Sequence, residues 1–308
     1  MPNDQQPVLV FGATGQQGGS VASALLKAGW RVRAFVRDHR APRAVALRDA
    51  GAELAQGDLR DARSIRAAMK NIGGVFSVQP SSGQGAIYGV SDEDEVRYGI
   101  DIANIAVESG VRHLVYSSSN AVGDIATGMG HFDSKARIEA HIRGLPVTTT
   151  VIRPAAFMEM LTMPGFGHDG GRFHFFMRPD QLMQFLAVED IGRIVAAIFA
   201  HPKRFDGSTF QVASDAVTGR ELEALFTQAA GRPIAYSRFS EEVLATNPFL
   251  AKLTELVDEG RLSGQADLEA LRALSPDLIP FRSWLAGSGR ETFEEALGTT
   301  GTWQYGRA

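Results

Sequence analysis

Short apolar runs alternate with amphipathic stretches through the first half of the chain. PVLVFGA (7–13), RVRAFVR (31–37), AELAQG (52–57), GVFSVQ (74–79), HLVYSS (113–118) and VTTTVIR (147–153) predict strands. Between them, Val21, Ala24, Leu25 and Ala28 fall at i, i+3, i+4 and i+7, and so do Ile65, Ala68, Met69 and Ile72. Each set predicts a helix with one inward stripe. A further stripe through Val96, Ile100, Ala103 and Val107 predicts a helix over 92–109. Gly29 is suited to end the first helix in a left-handed conformation, while Pro42 and Asp61 suit the N1 and N-cap positions of the next two. Strand and helix alternating in this way predict an α/β fold built on a doubly wound parallel sheet, buried on both faces.

The pattern changes after Pro154. GFGHDGGRFHFFMRPD (165–180) is rich in glycine and aromatic residues with no clear period, which predicts loop with a short hairpin. AVEDIGRIVAAIFAHP (187–202) predicts a helix ended by Pro202, STFQVAS (208–214) a strand, and 218–293 a mostly helical remainder. The expected organisation is a nucleotide-binding domain of residues 1–155 with 184–214, and a smaller lobe of 156–183 with 215–308 packed against it. Glycine and serine dominate 81–91, making it the segment expected to move.

Composition narrows the classes of function. Hydrophobic residues make up 44% and charged residues 21%, enough for a sizeable core. A formal net charge of −4 argues against the clustered base that nucleic-acid binding needs. The absence of Cys removes disulfides, thiolate nucleophiles and Cys-ligated metals, and fits a reducing cytoplasm. MPNDQQP does not read as a signal peptide, and no apolar run approaches the roughly 18 residues of a membrane span. A cytoplasmic protein is expected, without nucleic-acid or membrane partners.

GATGQQG sets Gly12, Gly15 and Gly18 directly after one strand and at the start of one helix. There the glycines let backbone approach a pyrophosphate, and the helix N-terminus offers free N–H groups and the positive end of its dipole. This context predicts a Rossmann-type dinucleotide site. Arg37 closes the second strand, with Arg40 and Arg43 close behind, a pattern that favours NADP(H) over NAD(H); Asp38 would favour NAD(H) if it faced the ribose instead. Asp58, in GDL (57–59), and Gln79, Pro80 and Ser81 after the fourth strand lie where the rest of a dinucleotide would run.

HFDSK (131–135) carries the candidate chemistry. A Tyr at 131 would complete Tyr-x-x-x-Lys; a His stands there instead. His131, Lys135, Ile138 and Ile142 share one helical stripe, so Lys135 is expected to point inward and to meet the ribose hydroxyls of a nicotinamide. His131 is a candidate general acid, and Ser117, Ser118 and Ser119 are candidates to hold a carbonyl oxygen. His168 and His174 have neither close helical spacing nor enough flanking acids for a metal site and are expected to be loop residues.

FGATGQQGGSVASALL, VRAFVRD, QGDL, LVYSS, HFDSKARIEAHIR, IRPAAFMEML and FLAVEDIG, in this order, resemble the NmrA-like family of atypical short-chain dehydrogenases/reductases, including its HSCARG-type NADPH-sensor branch. The resemblance weakens after about residue 240. It implies NADP(H) binding through Gly12, Thr14, Gly15, Gln16 and Gln17, Arg37 and Arg40, Asp58 and Leu59, Gln79, Lys135, and the 155–158 segment with Ala155 and Phe157. It also implies a smaller C-terminal lobe. Ala41 departs from the family, where a further base is common. Family members include both reductases of quinones, enones or ketones and non-catalytic NADP(H) sensors acting through a protein partner. For this chain the expectation leans to the reductase, with a small ligand in a cleft lined by His131, Phe157, Phe166 and Phe173.

Overall fold

The computed structural model describes residues 6–84, 89–163 and 165–299. Two compact units divide the chain: Met1–Arg153 with Val188–Phe210, and Pro154–Ala187 with Gln211–Ala308.

In the first unit the predicted alternation appears as β1 (Val8–Val10), α1 (Gln16–Lys27), β2 (Val32–Val36), α2 (Pro42–Asp49), β3 (Glu53–Gln56), α3 (Ala62–Ala68), β4 (Gly74–Ser77), α4 (Asp92–Glu108), β5 (His113–Ser117), α5 (Gly130–Ile142) and β6 (Thr148–Pro154). After the excursion into the second unit come α6 (Val188–Ala200), α7 (Pro202–Phe205) and β10 (Ser208–Val212). The sheet runs β10-β6-β5-β4-β1-β2-β3. Its pairs from β6 to β3 are parallel and in register, Val8 facing both Val32 and Gly74. The order reverses between β1 and β4, and ligands of open α/β sheets bind outside the strand ends at such a point.

Local chemistry accounts for the helix ends. Pro42 begins α2, and the Asp61 carboxylate caps α3 by accepting from the Arg63 N–H. Gly29 is left-handed at φ 79° just past α1. Ser91 and Asp94 form a reciprocal capping box at the start of α4. The core under α3, α4 and α5 gathers Leu9, Phe11, Ile65, Met69, Ile102 and Ile138. All four residues of the α3 stripe are buried, whereas in α1 the buried face is Gly18, Val21, Ala22 and Leu25, leaving Ala28 outside. Pro202 does not end α6, which stops at Ala200, but occupies the first turn of α7. Of the segment expected to move, 85–88 lie outside the described residues, and Ser82–Gln84 form a 3-10 turn.

The second unit holds β7 (Ala156–Phe157), β8 (Arg172–Phe175), β9 (Leu182–Leu186), β11 (Asp215–Thr218), α8 (Gly219–Ala230) and β12 (Ala235–Arg238), followed by α9 (Glu241–Thr246), α10 (Pro248–Asp258), α11 (Leu268–Leu274), α12 (Phe281–Ala286) and α13 (Arg290–Gly298). The expected hairpin within 165–180 is corrected: β8 pairs in parallel with β12, some sixty residues later. The strand expected to reach 214 ends at Val212, and the chain begins β11 at Asp215, antiparallel to β9. The unit's core is aromatic. Phe166, Phe173, Phe175, Phe226, Phe281 and Phe293 are fully enclosed, with Phe173 and Phe226 centroids 4.9 Å apart and steeply inclined.

Candidate functional site

The glycine turn has the geometry that the sequence predicted. Gly12 is left-handed at φ 63°, its carbonyl accepts from the Gly15 N–H at 2.8 Å, and Gly15 caps α1 with no side chain over the first N–H groups. A Cβ on Gly18 would lie 2.3 Å from the Gly12 carbonyl oxygen, so α1 rests directly on the turn. Gln16 is exposed beside it. Gln17 accepts from the Ser117 hydroxyl at 2.6 Å, tying α1 to the end of β5. The Thr14 carbonyl accepts from the Arg43 guanidinium at 3.0 Å.

At the end of β2, Arg37 is exposed and its guanidinium meets no acceptor among the described residues. Asp38 is turned back on its own loop, its carboxylate accepting from the Arg40 N–H at 2.8 Å with the Arg40 side chain 3.7 Å away. Arg40 is therefore drawn to Asp38, while Arg43 sits on the glycine turn. The Asp58 carboxylate likewise closes a local turn by accepting from the Arg60 N–H at 2.8 Å, and Leu59 is half-buried next to it. Gln79 is buried and donates to the Ser77 hydroxyl at 2.7 Å; Pro80 is half-buried.

The largest departure is at Lys135. It does point inward, with 15% of its side chain exposed, but its partner comes from the protein. Its ammonium donates to the Glu95 carboxylate of α4, to the Ser81 hydroxyl at 3.2 Å and to the His131 carbonyl at 3.1 Å. The inward charge expected to meet a nicotinamide ribose thus already has a carboxylate partner within the protein. Burial, and then the Lys135 charge, push the His131 imidazole down to about 4, so the ring is neutral near pH 7 and is no ready proton donor. Ser118 is engaged as well: its hydroxyl donates at 2.5 Å to Glu139, a fully buried carboxylate that also receives Arg153 at 2.7 and 3.0 Å and Arg143 at 2.8 Å.

Ala155 and Phe157 belong to the second unit. Ala155 is buried and donates its N–H to the Val212 carbonyl at 2.9 Å; Phe157 is half-buried on β7. Phe166 and Phe173 do not line a cleft, since both are at 0% exposure in the aromatic core. Sequence reasoning missed Glu95 and Glu139, although each adjoins an inward apolar position, Val96 and Ile138 respectively. Acids on the buried flank of an amphipathic helix were the available signal. Among the described residues, no group of three or more His, Cys, Asp or Glu is placed to hold a metal ion, and no helix is long and apolar enough to cross a membrane.

Comparison with known proteins places this geometry in context. The chain is 31% identical over 252 residues to an NmrA-like family domain-containing oxidoreductase of Aspergillus hancockii, covering 75% of each chain. It is 31% identical over 268 residues to another such oxidoreductase of Malbranchea aurantiaca, covering 79% of this chain and 78% of the relative. Among solved structures, NmrA, a negative transcriptional regulator in complex with NADP, superposes with a TM-score of 0.78 at 19% identity over 95% of this chain and 98% of that one. Citrobacter sp. triphenylmethane reductase complexed with NADP(H) gives 0.74 at 19% identity over 94% and 100%. These two likenesses concern the fold. The sequence model of the NmrA-like family matches residues 4–275, and the chain belongs to that family of atypical short-chain dehydrogenase-like proteins.

Proposed function

We propose that this protein is an NAD(P)H-dependent oxidoreductase that reduces a small quinone, enone or ketone. The observation that carries the reading is the uncapped start of α1 on the Gly12–Gly15 turn, at the point where the strand order reverses. Side chains are excluded there: a Cβ on Gly12 would come 2.8 Å from Val78, and one on Gly18 would strike backbone. Open N–H groups and a helix dipole in a place that admits only glycine fit a pyrophosphate. Gly12, Thr14, Gly15, Gln16, Gln17 and Gly18 would hold it. Arg37 would face the adenosine ribose, with Asp58, Leu59, Gln79 and Pro80 along the rest of the molecule. Arg37 and Arg43 favour the 2′-phosphate of NADP(H), with NAD(H) a weaker alternative, because Asp38 is occupied by its own loop. The oxidoreductase relatives point the same way.

When bound, a reduced nicotinamide supplies hydride. Lys135 would hold the adjoining ribose, and its ammonium would place positive charge beside the acceptor. The proton comes from water or a serine rather than from His131, which is neutral. Calorimetric titration with NADPH and NADH, followed by NADPH oxidation against a panel of quinones, enones and ketones, tests the reading. Binding of neither nucleotide would overturn it.

A second reading, a non-catalytic NADP(H) sensor acting through a protein partner, is favoured by the engagement of Ser118 with Glu139 and the low proton affinity of His131. It would be preferred if NADPH binds at micromolar concentration with no turnover across the panel, and if limited proteolysis changes on binding.

A further inference from the structure

Glu95 stands on α4 with 1% of its side chain exposed, in a position where an unaccompanied carboxylate would be costly. One of its oxygens accepts from Lys135, and the other accepts from the Ser81 and Ser134 hydroxyls, both at 2.9 Å. Four residues further along α4, Gly99 lies against Ile138 of α5 so closely that a Cβ there would be 2.6 Å from the Ile138 side chain. That approach lets a carboxylate on one helix reach an ammonium on the other. An ammonium has three donors. Lys135 directs one to the carboxylate and two to neutral acceptors, the Ser81 hydroxyl and the His131 carbonyl.

We propose that Glu95 is the positioning residue of the nicotinamide-ribose end of the site: it fixes Lys135 on the inner face of α5 before any nucleotide arrives. The proposal rests on the reading of Lys135 as a ribose-binding residue. A sugar hydroxyl reaching Lys135 would accept in place of one of the two neutral acceptors, while the carboxylate keeps its hold. Where a phenol at 131 would otherwise share the lysine, the acid on α4 supplies the fixed partner. A side chain ordered in advance loses less freedom on binding, which raises affinity.

The test is a set of calorimetric titrations of the full-length chain with NADPH and with adenosine 2′,5′-bisphosphate, which lacks the nicotinamide ribose. Lys135→Met alone would strand the buried carboxylate and risk unfolding, so the comparison uses wild type, Glu95→Gln and the neutral double variant Glu95→Gln/Lys135→Met. Glu95→Gln is expected to weaken NADPH roughly tenfold and leave the adenosine fragment within about twofold, and the double variant is expected to bind NADPH no worse than Glu95→Gln. NADPH affinity unchanged in Glu95→Gln, an equal loss for both ligands, or a further tenfold loss in the double variant would each overturn the proposal. Wild type binding neither ligand would instead remove the functional reading on which the proposal stands.

Discussion

Gly18→Ala is the sharpest test of how α1 is seated. The added Cβ would lie 2.3 Å from the Gly12 oxygen, 2.4 Å from the Gly12 carbonyl carbon and 2.6 Å from the Phe11 oxygen, all backbone that no rotamer change can move. Relief requires α1 to shift outward by about 1 Å, an overpacking strain of about 3 kcal/mol. The helix cannot shift freely, because its other side meets α6 at Gly192, where a Cβ would be 2.4 Å from the Ser20 oxygen. The Ser20 hydroxyl also accepts from the Gly192 N–H at 3.2 Å and donates to the Glu189 carbonyl at 3.1 Å. Replacing glycine within a helix returns about 1 kcal/mol of propensity, leaving a net loss of about 2 kcal/mol and a thermal midpoint lowered by roughly 4–8 °C. Gly19→Ala is the control: its Cβ would be 3.2 Å from the Ala13 oxygen, a contact that a shift of a few tenths of an ångström relieves, so its midpoint should match or slightly exceed wild type. Differential scanning calorimetry of the three proteins decides the matter. A Gly18→Ala protein melting with wild type would show that the turn and the helix are not in the contact described.

Burial holds His113, His131 and His168 down to about 4, against 6.5 for an ordinary imidazole, so between these pH values the unfolded chain binds more protons than the native one. Their contribution to stability is intact above about pH 6.5 and shrinks as pH falls toward 4, by up to roughly 1.4 kcal/mol per unit for each ring. Urea midpoints measured across that range should decline, and His131→Gln should flatten the slope; a level wild-type profile would contradict the burial. Phe173→Ala should cost about 3–5 kcal/mol, read from denaturant unfolding, because the ring is enclosed by other aromatics. An equally stable Phe173→Ala with altered ligand binding would put the ring back in a cleft. Arg37→Gln should lower NADPH affinity relative to NADH by about tenfold and Arg40→Gln by less than about twofold, since Arg40 already faces Asp38; calorimetry showing the reverse would mean that Arg40 leaves its carboxylate.

Most of the first unit was legible because its signals are local. Strand and helix periods, Pro42 at a helix start, Asp61 as a cap and Gly29 past a helix end each involve residues within a turn or two of one another. The second unit defeated the same reasoning where pairing is distant. Nothing within RFHF shows that its partner is Ala235–Arg238, and a run of phenylalanines looks alike whether it lines a cavity or fills a core. Here it fills a core, because β8, α8, α12 and α13 all contribute rings to one cluster.

The site shows the same boundary in a sharper form. Helical spacing correctly turned Lys135 inward, since periodicity reports which face of a helix leaves water. It carries no information about what that face meets. The partner, Glu95, lies forty residues away on another helix and reaches Lys135 only because Gly99 permits a close approach to Ile138. An inward charge was therefore a sound reason to expect a counter-charge or acceptor and an unsound one to expect a ligand. Glu95 carries a signal of its own, since it precedes Val96 on a stripe bound for the core. Two opposite charges, each on the inward side of a helix in one α/β unit, would have suggested each other before any nucleotide. What the glycine turn implies about a pyrophosphate does not depend on that pairing, because it rests on backbone conformation alone.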